Sequence, residues 1–426
     1  MVSFSKVSTS VSTGEVAGFY DPRFERVAGE FVKNFQERGE VGASVSITIE
    51  GERVVDLWGG SADPVSNRPW TEDTMTLVWS STKGAVALCA HMLVSRGLLD
   101  PEAPVARYWP EFAQAGKENI PVKMLLNHQA GLAAISTPLP DGAFSKWELM
   151  INALEQQQPL WEPGTMQGYH LFTFGWLVGE VVRRISGKSL GTFFREEVAE
   201  PLGLDFWIGL PQALEERTSL VIPAAPPDPN GPIPPFYLKA MTDPVSIQSV
   251  GLFNTGGYMM PGPDGVMGFN LRASRAAEIG AAGGVANGRG LAGMYAPLAN
   301  GGSLKGVNLV NRDALARMAA VSSATSVNVM LLAPTRFTLG FAKSIDNRRV
   351  PGCGEDDSLI LSEEAFGHPG SGGSIGFADP AERMSFGYVM NQMGPGLGLN
   401  ARGQSLVDAA YLSLGYTSNA SGAWIK

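Results

Sequence analysis

Alternating apolar and small polar residues near both ends of the chain constrain its fold more than any other feature. In "ASVSITIEGERVVDLW", Ala43, Val45, Ile47 and Ile49 alternate with Ser44, Ser46 and Thr48 ahead of a Glu-Gly-Glu turn. A period of two with a turn signal predicts a half-buried antiparallel hairpin. The same grammar returns in "RMSFGYVMN", where Met384, Phe386, Tyr388 and Met390 alternate, after the strand-like pieces "FGHPG" and "SIGFADP". Strands this far apart in sequence bury their apolar faces only by joining, so one antiparallel sheet built from both termini is expected.

Helices flank these strands. Asp21 as N-cap, Pro22 in the first turn, apolar Phe24, Val27, Phe31 and Phe35 and a stop at Gly39 predict a helix before the first hairpin. The spacing of Val407, Ala410, Tyr411 and Leu414 predicts another at the C-terminus. Between the sheet-forming ends, helical patterns occupy about 81–96, "FGWLVGEVVRRISG" and "GGVANGRGLAGMYAPLANGG". The proline-rich run 223–235 excludes regular structure and reads as a wall or lid of a site. Ser/Thr-rich residues 1–17 read as a loose tail. The expected fold class is therefore α+β: a sheet domain from 18–78 and 325–426, a mainly helical domain from 79–324, and an active site between them. A chain of 426 residues is long enough to bury such cores.

The net charge of −9 and the lack of any Lys/Arg-rich run exclude the electrostatic footprint of a nucleic-acid or anionic-membrane partner. Two cysteines, Cys89 and Cys353, do not make a disulfide framework, and no apolar leader precedes the first helix, so a cytoplasmic location is expected. Uncharged stretches such as "LLNHQAGLAAISTPLP" are broken by Gly, Pro, Asn and His and fall short of a membrane span.

The stretch "LVWSSTKGAV" carries the chemistry. On a helix, residues three apart share a face, which brings the Lys83 amine within reach of the Ser80 hydroxyl. A serine hydroxyl is a weak nucleophile until a base takes its proton, and lysine can serve once its environment lowers its pKa from ~10.4. A helix N-terminus also aims free N–H groups at an oxyanion forming on an attacked carbonyl. The SxxK spacing alone is weak: it recurs at Ser3 to Lys6, and Ser80 could equally be an N-cap. Ser374 in "GGSIG" offers a rival GxSxG nucleophile. That arrangement requires a histidine after the serine, yet His91, His128, His170 and His368 all precede it. Scattered histidines without carboxylate clusters give no metal site, and no nucleotide-binding glycine motif occurs, so no cofactor is expected.

Taken together, "WSSTKGAVAL", "LLNHQAGL", "WEPGTMQGYHLFTFGWLVGEVVRRISG" and "FGHPGSGGSIGFADP" resemble, in consistent order, the serine β-lactamase and penicillin-binding superfamily, and within it the class C β-lactamase-like esterases called family VIII carboxylesterases. The resemblance runs from about residue 20 to the C-terminus. It implies the β-lactamase/transpeptidase-like fold, Ser80 as nucleophile, Lys83 as its base and Tyr169 as a second proton-transfer group. Beside a protonated Lys83 that phenol is expected to ionise more easily. The resemblance further implies oxyanion donors at the N–H groups of Ser80 and Ser371, and substrate contacts from Trp79, His170, His368 and Gly370. Trp161, Phe172 and Trp207 are further candidates for the pocket lining or for the core.

Two departures from the family pattern bear on substrate. Where β-lactamases have Tyr-x-Asn, this chain has Tyr169, His170 and Leu171, without the amide that helps hold the lysine. Where they have Lys-Thr-Gly, it has His368, Pro369 and Gly370. Both changes remove contacts suited to an anionic β-lactam and point to neutral esters, with weak β-lactam hydrolysis alongside; short acyl chains are what the resemblance implies. β-Lactamase or D,D-peptidase action, acyl transfer or amide hydrolysis, and a non-catalytic penicillin-binding or scaffold role are the alternatives. The expected partner is a small-molecule ester.

Overall fold

The computed structural model describes residues 4–225 and 233–426. Seven main strands form an antiparallel sheet: β1 (Ser5–Val11), β2 (Gly14–Tyr20), β3 (Gly42–Ile49), β4 (Glu52–Asp63), β5 (Phe366–Pro369), β6 (Ile375–Asp379) and β7 (Met384–Met390). Their spatial order is β1-β2-β4-β3-β7-β6-β5, and the short strand Arg68–Pro69 adds to β4. The N- and C-terminal halves meet where β3 pairs with β7, Val45 opposite Tyr388 and Ile47 opposite Phe386. This is the sheet expected from the two alternating segments.

Its first face is covered by α1 (Glu25–Glu37) and the C-terminal helix Ala401–Ser413. The Asp21 side chain caps the 3₁₀ turn Pro22–Phe24 by accepting from the Arg23 N–H, and Phe24, Val27, Phe31 and Phe35 then bury against Val45, Ile47 and Leu406. Each such side chain stabilises the layer by roughly 1.5–3 kcal/mol.

The second face corrects the reading of the hairpin as half-buried. Ser44, Ser46 and Thr48 are buried as well, because the helix Gly288–Ala299 lies across them. Their hydroxyls are satisfied: Ser44 accepts from the Gly288 N–H, Ser46 donates to the Val55 carbonyl, and Thr48 shares a proton with Ser385. Glycines at 387 and 376 permit the close approach, since a Cβ at Gly387 would lie 2.4 Å from the Ala292 nitrogen. The sequence boundary assigned 79–324 to a helical domain, but this helix packs on the sheet. Its layer is set by contacts with β3, β6 and β7, which a helical period does not encode.

The expected tail over 1–17 is also corrected. Residues 5–20 form the β1–β2 hairpin, with Val7, Thr9 and Val11 alternating and the turn at Ser12 and Thr13, after which Gly14 opens β2 at φ +144. The many serines and threonines concealed a strand period at an edge where one face stays wet.

In the helical unit, α2 (Thr82–Ser95) is buried from Thr82 through Leu93 and packs against α3 (Thr173–Ser186), which ends at the left-handed Gly187. An all-round apolar helix belongs inside a protein, and α2 runs through the middle of this one. Of the proline-rich run 223–235, residues 226–232 lie outside the described residues; Pro234 and Pro235 open a helix through Thr242. Among the described residues, no helix is long and apolar enough to cross a membrane.

Candidate active site

The turn that presents Ser80 is fixed from three sides. Trp79 has φ +49, an uncommon conformation for so large a side chain, which costs on the order of 1–3 kcal/mol unless neighbours impose it. Here they do: Thr82 Oγ1 donates to the Trp79 carbonyl (2.6 Å) and accepts from the Gly284 N–H (2.9 Å), and the Val78 N–H donates to the Gly284 carbonyl (2.8 Å). The indole meets Phe269 edge-on, with centroids 4.9 Å apart. Ser80 then sits in a 3₁₀ turn, Trp79–Ser81, directly ahead of α2.

Lys83, one turn on, is fully buried. Its Nζ lies 3.1 Å from Ser80 Oγ, 2.7 Å from the Leu171 carbonyl and 3.0 Å from the Ala281 carbonyl. Among the described residues no carboxylate pairs with it, and burial holds its pKa well below the ordinary lysine value. An uncharged amine has two N–H groups and one lone pair. With two N–H groups given to the two carbonyls, the deprotonated amine would turn its lone pair to the Ser80 hydroxyl. The missing amide of the second motif is thus replaced by main-chain oxygens, which leave no mark in the sequence.

Tyr169 stands over this pair, with Lys83 Nζ 4.7 Å from its ring centroid. Its N–H donates to Asn328 Oδ1 (2.9 Å), and its ring stacks on Phe337 at 5.7 Å. Burial pushes the phenol above its ordinary pKa, and the Ser80 hydroxyl beside it only partly offsets this. The expectation of an easily ionised tyrosine is corrected: desolvation dominates and raises the phenol's pKa instead of lowering it.

His368 is buried beside Tyr169. Its Nδ1 lies 2.7 Å from the Pro369 carbonyl and therefore carries the proton, which leaves Nε2 as an acceptor 3.5 Å from the Tyr169 hydroxyl. Desolvation pushes its pKa down to about 3, so it is no cationic anchor. Gly370 is wedged against the turn before α2: a Cβ there would lie 2.2 Å from Ser374 Oγ and 2.3 Å from the Val78 carbonyl. Ser371, next in sequence, lines the same cleft as Ser80.

Two candidates fall elsewhere. His170, expected at the substrate, is fully buried and outside the cleft lining. Its Nδ1 bonds to the Gly168 carbonyl and its Nε2 accepts from the Leu132 N–H, so it joins two loops behind Tyr169. Ser374 Oγ donates to the Val78 carbonyl (2.9 Å) and lies 3.4 Å from Ser81 Oγ; it pins β6 to the Ser80 turn and faces no base. Of the aromatic candidates, Trp79 and Phe172 line the cleft, whereas Trp161 and Trp207 do not.

The cleft has a volume of about 140 Å³ and a largely apolar lining. Several of its walls carry no sequence signal. Phe236 and Tyr237 follow the proline-rich run, Met259 sits in an aperiodic loop, and Phe337 comes from a stretch whose three-residue strand is too short to show a period. His128 was likewise missed as a support: at φ +66 it packs edge-on against Tyr169 and accepts from the His170 N–H through Nδ1.

Comparison with known proteins agrees with this geometry. A solved structure described as a family VIII carboxylesterase superposes with a TM-score of 0.80 at 37% identity, covering 94% of this chain and 100% of that one. A penicillin-binding protein homologue from Caulobacter crescentus also reaches 0.80, at 35% identity over 93% of this chain and 99% of its own. Esterase/beta-lactamase LipL of Mycobacterium tuberculosis is 34% identical over 383 residues, 89% of this chain and 83% of that protein. The profile of the family described as Beta-lactamase matches residues 25–410. The chain belongs to the beta-lactamase family.

Proposed function

We propose that the protein is a serine carboxylesterase that hydrolyses small neutral esters through an acyl-enzyme. The observation that carries this reading is the Lys83 amine, buried with no carboxylate paired to it among the described residues and 3.1 Å from the Ser80 hydroxyl. Lys83 takes the Ser80 proton as Oγ bonds to the ester carbon, and the N–H groups of Ser80 and Ser371 receive the developing oxyanion. As the carbon–oxygen bond to the alcohol breaks, Tyr169 gives its proton to the departing oxygen and recovers one from the Lys83 ammonium. Water then attacks the acyl-enzyme by the same steps, releasing the acid and returning the proton to Ser80.

The esterase and carboxylesterase relatives support the ester as substrate. The cleft supports a neutral one. His368 is uncharged, Pro369 has no N–H, the Arg336 guanidinium is paired with Glu363, and Lys343, which also lines the cleft, gives its Nζ to the Glu363 carbonyl while burial pulls its pKa down. Two unpaired cysteines, one of them fully buried, support a reducing, cytoplasmic setting.

Short p-nitrophenyl esters should be turned over far faster than penicillins when measured side by side, and a fluorophosphonate should label Ser80 stoichiometrically and stop turnover. A preference for penicillins would make the chain a β-lactamase; labelling without ester turnover would make it a penicillin binder.

A further inference from the structure

Ser371 sits on a loop that has little stiffness of its own. Of the residues Gly370, Ser371, Gly372 and Gly373 all but one are glycines, with Gly372 at φ +85 and Gly373 at φ +121, and glycine moves freely among backbone conformations. Two bonds close the loop into a turn: the Gly373 N–H donates to the Gly370 carbonyl (3.0 Å), and the Gly370 N–H donates to the Ser374 carbonyl (2.7 Å). Among the described residues the Ser371 N–H has no acceptor, which leaves it to a substrate oxygen.

The turn is gripped from outside at one atom. The Gly372 carbonyl accepts from the Asn400 side-chain Nδ2 (2.7 Å) and from the Gly394 N–H (2.9 Å). A trans peptide is planar, and its carbonyl and N–H point opposite ways. Fixing the Gly372 carbonyl therefore fixes the Gly373 N–H of the same peptide. That N–H holds the Gly370 carbonyl, and the peptide of that carbonyl ends in the Ser371 N–H. Two rigid planes in series thus lead from the Asn400 amide to the oxyanion donor. Asn400 is itself anchored: it is buried, its side chain caps the C-terminal helix Ala401–Ser413 by accepting from the Gly403 N–H, and a Cβ at Gly373 or Gly394 would lie 2.5 or 2.2 Å from its Nδ2. The cap decides which way the amide is turned, Oδ1 to the helix and Nδ2 to the Gly372 carbonyl.

We propose that Asn400 is a positioning residue for the oxyanion site, its amide aiming the Ser371 N–H at the oxygen of the attacked carbonyl. The assignment rests on the serine-esterase reading, with Ser371 as the second oxyanion donor. It joins the first turn of the C-terminal helix to the chemistry at Ser80.

Serine caps a helix as well as asparagine does but is too short to reach the Gly372 carbonyl. Asn400→Ser should lower kcat on p-nitrophenyl acetate about tenfold or more and change KM by less than about threefold. The inhibition constant of a trifluoromethyl ketone, whose adduct with Ser80 carries the oxyanion, should rise by a similar factor. Asn311→Ala, which uncaps the helix Arg312–Ala319 at the far end of α2, should lower the urea midpoint and leave kcat in place. Asn400→Asp, of nearly the same shape and unable to donate once ionised, should give the same kinetic readings at about pH 8 and replaces the serine variant where that one does not fold. Unchanged kcat at position 400, a fall in kcat with an unchanged inhibition constant, or an equal fall in Asn311→Ala overturns the assignment and leaves an esterase. No ester turnover by the parent protein overturns the esterase reading and the assignment with it.

Discussion

At the scale of single residues, the site works by protonation states that burial sets against habit. Loss of water pulls the Lys83 pKa well below the ordinary lysine value and pushes that of Tyr169 up. The base acts only when uncharged, so kcat/KM should fall as pH drops through the lowered Lys83 value. On the alkaline side it should hold until the raised Tyr169 begins to ionise. A profile from about pH 5 to about pH 10 that peaks near the acid end would contradict this assignment. The two serines separate in the same way. Ser80→Ala should abolish ester turnover and leave the circular dichroism spectrum unchanged. Ser374→Ala removes a buried bond to the Val78 carbonyl, and should cost roughly 1–3 kcal/mol of stability while retaining measurable turnover. Equal loss of turnover in the two variants would reinstate Ser374 as a nucleophile.

At the scale of elements, the site is a junction between the end of β5 and the turn before α2, and the junction depends on a missing side chain. At Gly370 a Cβ would enter the space of both Ser374 Oγ and the Val78 carbonyl. Gly370→Ala should push the strand off the turn and displace the Ser371 N–H. The expected result is a fall in kcat of roughly 10²-fold with a smaller change in KM, the pattern of lost transition-state contacts. A variant with unchanged kcat would show that the strand end does not position the oxyanion donor. Helix α2 contributes differently. Buried on every side, it holds Lys83 without help from any exposed contact, so the amine's position is as fixed as the core.

At the scale of the whole molecule, all four histidines are buried, and burial holds each of them neutral. His91 and His170 are pushed down to about 4 and His368 to about 3, against about 6.5 in an unfolded chain. Their folded values lie below their unfolded ones, so the unfolded state binds more protons on the acid side. The stability they contribute is complete above about pH 6.5 and is lost as pH falls toward about 4 and then 3. Urea midpoints should therefore drop from about pH 7.5 to about pH 4.5. His91→Gln, remote from the catalytic pair and able to keep the bond to the Leu339 carbonyl, should make that drop smaller. A midpoint that does not move with pH in the parent protein would refute the linkage.

The sequence by itself determined the central sheet and the closeness of Ser80 to Lys83. The period of two at both ends required one sheet, and three-residue spacing on a helix brought Ser80 to Lys83, because both are short-range consequences of backbone geometry. Family likeness, rather than spacing, added Tyr169. Tertiary structure alone decided what surrounds them. The carbonyls of Leu171 and Ala281 that hold the lysine are main-chain atoms, common to every residue type. The removal of His170 from the substrate, the burial of the polar face of β3 and the walls at Phe236 and Phe337 arise from segments far apart in the chain meeting across the core. Burial, and with it every shifted pKa, is a property of what covers a residue, and no local pattern states what that will be.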